Sequence, residues 1–223
     1  MSPFPDNWAY LKAELAWLDR VLMGAVARHQ DLHREIEQQA RTPADKATSH
    51  WWQGFILLDY AKGGSQIQPN LRDLTHPLGR YGDRIEYSLK QNIPLSIPQL
   101  CQHLQLSKFE RDVIILCLAP EISRRYEKIY ALLNNDDTPR PTVDLALRLF
   151  CRSDQEWRTA RRSFLSTAPL IKNKLLCLHP SAIPTLLAHS LSLPEKLVTY
   201  CLEDHLPLDR LLPRRRSRKP PSI

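Results

Sequence analysis

Apolar positions along this chain fall into helical spacing over most of its length. Near the start, Trp8, Leu11, Leu15, Leu18, Leu22, Ala25, His29, Leu32 and Ile36 alternate steps of three and four residues. That is a heptad seam of about four repeats, on a segment without proline from Asp6 to Thr42. So narrow a stripe must be covered by another helix, either from this chain as a helical hairpin or from a second copy as a coiled coil. Trp8, Leu11, Leu15, Leu18 and Leu22 are therefore a candidate protein-interaction seam. Thr42-Pro43 is where the helix should stop. His50 to Tyr60 reads as a returning helix with Trp52, Phe55 and Tyr60 inward. The turn signals Gly63-Gly64, Pro69-Asn70 and His76-Pro77-Leu78-Gly79 then mark a linker.

The densest pattern lies from Leu106 to Phe150. Ser107 and Glu110 have capping-box spacing, so a helix should start at Ser107. Val113 to Leu118 is apolar all round and predicts burial on every side. Pro120 is expected to end that helix. A second helix carries Ile122, Tyr126, Ile129 and Leu133, and Asn134-Asn135-Asp136-Asp137 breaks it. Thr142 caps a third with Val143, Leu145, Ala146, Leu149 and Phe150. Short helices at 83–92 and 98–105 precede this stretch. After it, Asp154 caps a helix holding Trp157, Ala160, Phe164 and Leu165. The period then changes: 174–178 and 186–191, separated by Pro180 and Pro184, read as a β-hairpin, though each is short enough to be helical. Ser192 and Glu195 repeat the capping-box spacing ahead of a last helix through Cys201 that bears Leu197, Val198 and Leu202. This is the order of a winged helix, with 142–150 and 154–165 as its helix–turn–helix.

The pattern FERDVIILCLAPEISRRYEKIYALLNNDD followed by RPTVDLALRLF resembles the N-terminal winged-helix region of a family of bacterial AAA+ ATPases. Several members are encoded beside contractile injection system genes. The resemblance runs from Gly82 to Leu212, and the ATPase core of the family is missing here. It implies the non-catalytic part ahead of the ATPase ring, which recruits substrate or adaptor or helps arrange the hexamer. Leu208-Asp209-Arg210-Leu211-Leu212 resembles the lead-in to the ATPase module and gives way here to a basic tail. Partners implied are an AAA+ ATPase module, its substrate, or a second copy through the N-terminal helix. A stand-alone relative, a split gene product and a truncated chain all fit this pattern.

Composition narrows the function classes. With 6 glycines against 18 prolines, short helices with firm stops are favoured over phosphate-cradling loops. No run of 18 apolar residues and no signal-peptide layout is present, so a soluble cytoplasmic protein without a membrane span is expected. The five cysteines include no C-x-x-C pair and mostly sit in apolar helices, which predicts buried, reduced thiols. Net charge is +7, and Arg214, Arg215, Arg216, Arg218 and Lys219 in the tail account for five. Subtracting them leaves +2 for everything else, so the body is not a broad nucleic-acid footprint.

No catalytic, cofactor-binding or metal-ligating constellation emerges. Phe55-Ile56-Leu57-Leu58-Asp59 mimics a Walker B strand, yet Tyr60 stands where the catalytic glutamate would be, and no glycine is followed by lysine. His29 and His33 share a helix face without a third ligand. Asp136-Asp137 falls in a helix break, where capping explains it. Candidate contacts for nucleic acid or an acidic partner are Arg158, Arg161 and Arg162 on the recognition helix, beside Asp154 and Glu156, together with the tail cations.

The expected fold is mainly α: an N-terminal helical hairpin or coiled coil over 1–62, a linker over 63–82, a winged-helix domain with a small β-hairpin wing over 83–205, and a basic tail over 206–223. The expected function is a non-catalytic protein-interaction module, with no cofactor; the alternative is a DNA-binding winged-helix regulator.

Overall fold

The computed structural model describes residues 2–39, 78–136, 138–203 and 208–211, with backbone alone for 32–39, 209 and 210. The returning helix expected at 50–60, the helix stop at Thr42-Pro43, most of the linker and the basic tail at 214–219 lie outside these residues.

Helix α1 (Asn7–Gln39) opens the described chain. Asp6 helps to close its first turn by accepting the Ala9 amide at 2.6 Å. Of the seam, Leu11, Leu18 and Leu22 are buried, Leu15 is half-buried and Trp8 is exposed. Within the described residues, cover for this stripe comes from α4 (Lys108–Ile122), α5 (Arg125–Asn134) and α6 (Val143–Phe150) of the same chain. Two short helices, α2 (Gly82–Lys90) and α3 (Ser96–Leu104), come between. Helix α3 stops where Gln105 takes a left-handed φ of 53° and the Leu106 amide reaches back to the Cys101 carbonyl.

Helix α4 is the axis of the core. Its capping box forms as the spacing predicts: the Ser107 hydroxyl accepts the Glu110 amide, and the Glu110 carboxylate accepts the Ser107 amide. Every residue from Val113 to Ala119 is buried, and the run carries no charged side chain. Proline does not end the helix as expected, because α4 passes through Pro120 to Ile122. A proline at 120 cannot donate to the Leu116 carbonyl one turn back, and the Tyr130 hydroxyl of α5 takes that place at 2.8 Å. Ile122 accordingly closes α4 instead of opening the next helix, which starts at Arg125.

Helix α7 (Asp154–Arg161) follows α6 and continues as a 3₁₀ turn over Arg162–Phe164, then comes α8 (Pro169–Lys172). The hairpin pairs β1 (Cys177–His179) with β2 (Ser190–Ser192) antiparallel, in the register Cys177↔Ser192, Leu178↔Leu191 and His179↔Ser190. Both strands lie later than the apolar runs that predicted them. Lys174 turns the first run with a left-handed φ of 55°, and Leu186–Ala188 after Pro184 is a 3₁₀ turn. The capping box expected at Ser192 does not form: Ser192 sits in β2, and α9 (Glu195–Leu202) starts after Pro194 without a side-chain cap. A last turn, α10 (Leu208–Leu211), follows.

The two ends of the described chain meet through one buried side chain. Asn7 donates from Nδ2 to the Cys201 carbonyl at 2.8 Å, and its Oδ1 accepts from the Ser96 amide and hydroxyl at 3.0 Å each. N-terminal residues are tied down as well. Phe4 is buried, its amide donates to Ser88 Oγ at 2.8 Å, and the Arg84 guanidinium lies 3.8 Å over its ring.

Candidate partner-binding face

The helix–turn–helix is held by caps at both starts. Thr142 Oγ1 accepts the Leu145 amide at 3.1 Å to begin α6. Helix α7 is capped by Ser153, one residue before the expected Asp154. Ser153 Oγ accepts the Glu156 amide at 3.2 Å, and the Glu156 carboxylate accepts the Arg152 amide at 2.7 Å. Asp154 and Glu156 both lie in the first turn, where the positive end of the helix dipole favours carboxylates. Ala160 and Phe164 are buried and Trp157 is half-buried, which fixes the rotation of α7. Arg158, Arg161 and Arg162 therefore face outward, exposed, and form no ion pair with a described residue. Leu165, at 45% exposure, ends the same stretch. The cations collect in the later half of the element and the carboxylates at its start.

The wing has a different chemistry. Behind it a one-residue bridge, Thr142↔Ser190, adds a third edge to the hairpin. The Leu191 amide donates to the Pro141 carbonyl at 2.7 Å and the Val143 amide to the His189 carbonyl at 3.0 Å. These bonds weld the start of α6 to β2. From Leu175 to Pro194 the chain carries no Lys, Arg, Asp or Glu. At the tip Ile183 is 60% exposed; its amide is held by Ser181 Oγ at 2.9 Å and its carbonyl accepts the Thr185 amide at 2.9 Å. The wing thus presents a fixed apolar side chain and no cation.

Other residues singled out in the sequence fall elsewhere. His29 meets Asn135 Oδ1 at 2.6 Å, at the end of α5. Asp136 accepts the Thr138 amide at 2.8 Å, a turn role. Among the described residues no group of three His, Cys, Asp or Glu side chains could hold a metal ion. All five cysteines are free; Cys101, Cys117, Cys151 and Cys201 are buried and Cys177 is half-buried.

A buried charge cluster escaped the sequence reading. Arg80, with its side chain 4% exposed, donates to Glu14 Oε2 of α1 at 2.8 Å and to Asp112 Oδ1 of α4 at 2.7 and 3.1 Å. Arg111 completes it, 3.6 Å from Glu14 and 3.6 Å from Asp112, and donates through Nη1 to the Leu78 carbonyl. Two cations and two anions balance, which buried charges require. Burial pushes the Asp112 carboxyl up, and Arg80 and Arg111 oppose that shift. Burial, followed by the Glu14 carboxylate, holds the Tyr10 phenol well above its usual range. Residues 78–81 form a clasp between α1 and α4. Gly79 takes φ +78°, and a Cβ there would lie 2.7 Å from Arg111 Cζ. The Tyr81 hydroxyl donates to the Ala13 carbonyl at 3.2 Å. The available signal was Arg111-Asp112 on a helix buried all round: charges there need partners.

A family model described as a winged helix domain, variant, matches residues 1–214, so the match takes in α1 together with the helix–turn–helix and the wing. No curated protein and no solved structure matches the chain.

Proposed function

We propose that this chain, which belongs to the variant winged helix domain family, works as a non-catalytic protein-interaction module that docks through its wing. The uncharged wing with Ile183 at its tip carries this reading. Phosphate contacts require Lys, Arg or other donors at the backbone, whereas exposed apolar anchors suit protein interfaces. The likeness to the N-terminal region of bacterial AAA+ ATPases supports an AAA+ module, its substrate or an injection-system component as partner. ATP hydrolysis would then belong to another polypeptide, and the cytoplasm is the setting such partners imply. The second reading, a DNA-binding regulator, is favoured by one observation: Arg158, Arg161 and Arg162 stand on the outer face of α7 without an ion pair to a described residue.

The deciding experiment is capture from the native host with bait lacking residues 214–223, as wild type and as Ile183→Asp, at low and moderate salt. A protein retained at both salts by wild type and lost with Ile183→Asp, while the two baits melt alike, supports docking through the wing. Retention of nucleic acid alone, lost at moderate salt and indifferent to Ile183→Asp, overturns it in favour of the regulator.

A further inference from the structure

We infer that the clasp at 78–81 sets how the helix–turn–helix presents its last turn, through a line of packed side chains from Arg80 to Phe164. For its purpose this rests on the partner-binding reading above; the coupling itself is a property of the fold.

The line is continuous. The Arg80 guanidinium, paired with Glu14 and Asp112, lies 3.1 Å over the centre of the Trp17 ring. Trp17 stacks on Phe150, the last residue of α6, with centroids 5.8 Å apart and planes 20° off parallel. Phe150 meets Phe109 edge-on at 6.3 Å, and Phe109 meets Phe164 edge-on at 5.8 Å. Phe164 closes the 3₁₀ turn that begins at Arg162. One end of the line is thus an ion cluster, and the other is the stretch displaying Arg161, Arg162 and Leu165.

Two physical features make this a device with two positions instead of mere packing. With Arg80 seated, the four charges sum to zero. With Arg80 withdrawn, Glu14 and Asp112 share Arg111 alone, and the interior holds one uncompensated negative charge, which a buried site resists. No half-seated position satisfies both carboxylates, so the clasp is in or out. Withdrawal also removes the cation from the Trp17 face. Rings in direct contact pass such a shift along, since each displaces the next.

The test is amide hydrogen exchange, read by mass spectrometry, on the full chain as wild type, Arg80→Met and Gly79→Ala. Arg80→Met removes the counter-ion; Gly79→Ala dislodges the clasp while leaving every charge in place. Both are expected to speed exchange at least tenfold in residues 7–22 and also in 154–166, and by more there than in the hairpin at 177–192. Adding Phe109→Leu interrupts the line, so the response at 154–166 should disappear while that at 7–22 stays. A response confined to α1 and α4, an equal response in the hairpin, or one at 154–166 that survives Phe109→Leu would each overturn the coupling. If Arg80→Met does not fold, Arg80→Lys is read the same way, since its single ammonium cannot reproduce the fork. Failure here leaves Ile183-dependent capture unaffected, and failure of that capture leaves this exchange pattern measurable.

Discussion

Arg80 contacts two carboxylates and an aromatic face from a position almost without solvent. Removing one member of such a cluster strands the others, at a cost of about 3–5 kcal/mol. Arg80→Met should therefore lower the urea unfolding free energy by about that much. Adding Asp112→Asn should return a large part of the loss, because Glu14 and Arg111 then balance as one pair. Thiols impose a second constraint at this scale. Burial pushes Cys101 up to about 12, and burial likewise raises Cys117 and Cys201. In the unfolded chain a thiol ionises near about 8.5. A folded-state value above the unfolded one gives stability that is complete below the unfolded value and lost as pH climbs to the folded one. Stability should thus decline from about pH 8.5 to 12, each such thiol adding up to about 1.4 kcal/mol per pH unit. Cys101→Ala should make the alkaline limb of a denaturation series shallower by that amount.

Among the elements, α4 and α5 are joined by a repair. Pro120 frees the Leu116 carbonyl and the Tyr130 hydroxyl satisfies it. Tyr130→Phe alone should cost about 1–3 kcal/mol by leaving a buried acceptor unpaired. In a Pro120→Ala background the new backbone amide can make the helical bond, and the same change should cost much less; a double-mutant cycle by chemical denaturation reads the difference. This bond also marks where the sequence stopped being legible. Local rules were visible in it: the Ser107–Glu110 box and the Thr142 cap stand where spacing put them, as do Leu11, Leu18 and Leu22 on the buried face of α1. Features depending on a distant partner were not visible. Nothing near Pro120 announces Tyr130. Ser192 has capping-box spacing, but pairing with Cys177 claims it for a strand, and its hydroxyl meets His179 Nε2 at 2.7 Å. The candidate face divides in the same way. Arg158, Arg161 and Arg162 were legible from helix periodicity, whereas the ion cluster joins Arg80 to residues 32 and 66 positions away.

Taken whole, the described chain places α1 in the same core cluster as α4, α5 and α6, so the apolar seam is largely spent on internal packing. Among the described residues, what stays available is a basic stretch on α7 and an uncharged wing. If the tail alone holds nucleic acid, the log–log salt slope should be no steeper than about −4.5, five contacts at about 0.9 each. Deleting residues 214–223 should then abolish filter retention of duplex DNA.

The Asn7–Cys201 hydrogen bond, which spans 194 positions, fixes an order of events during synthesis. The ribosome makes the start of α1 long before the carbonyl that anchors it. At about 5–20 residues per second the wait is about 10–40 s. Throughout it Leu11, Leu18 and Leu22 have only the cover that α4, α5 and α6 supply as they emerge, and the bond that ties the start of α1 to α9 closes last.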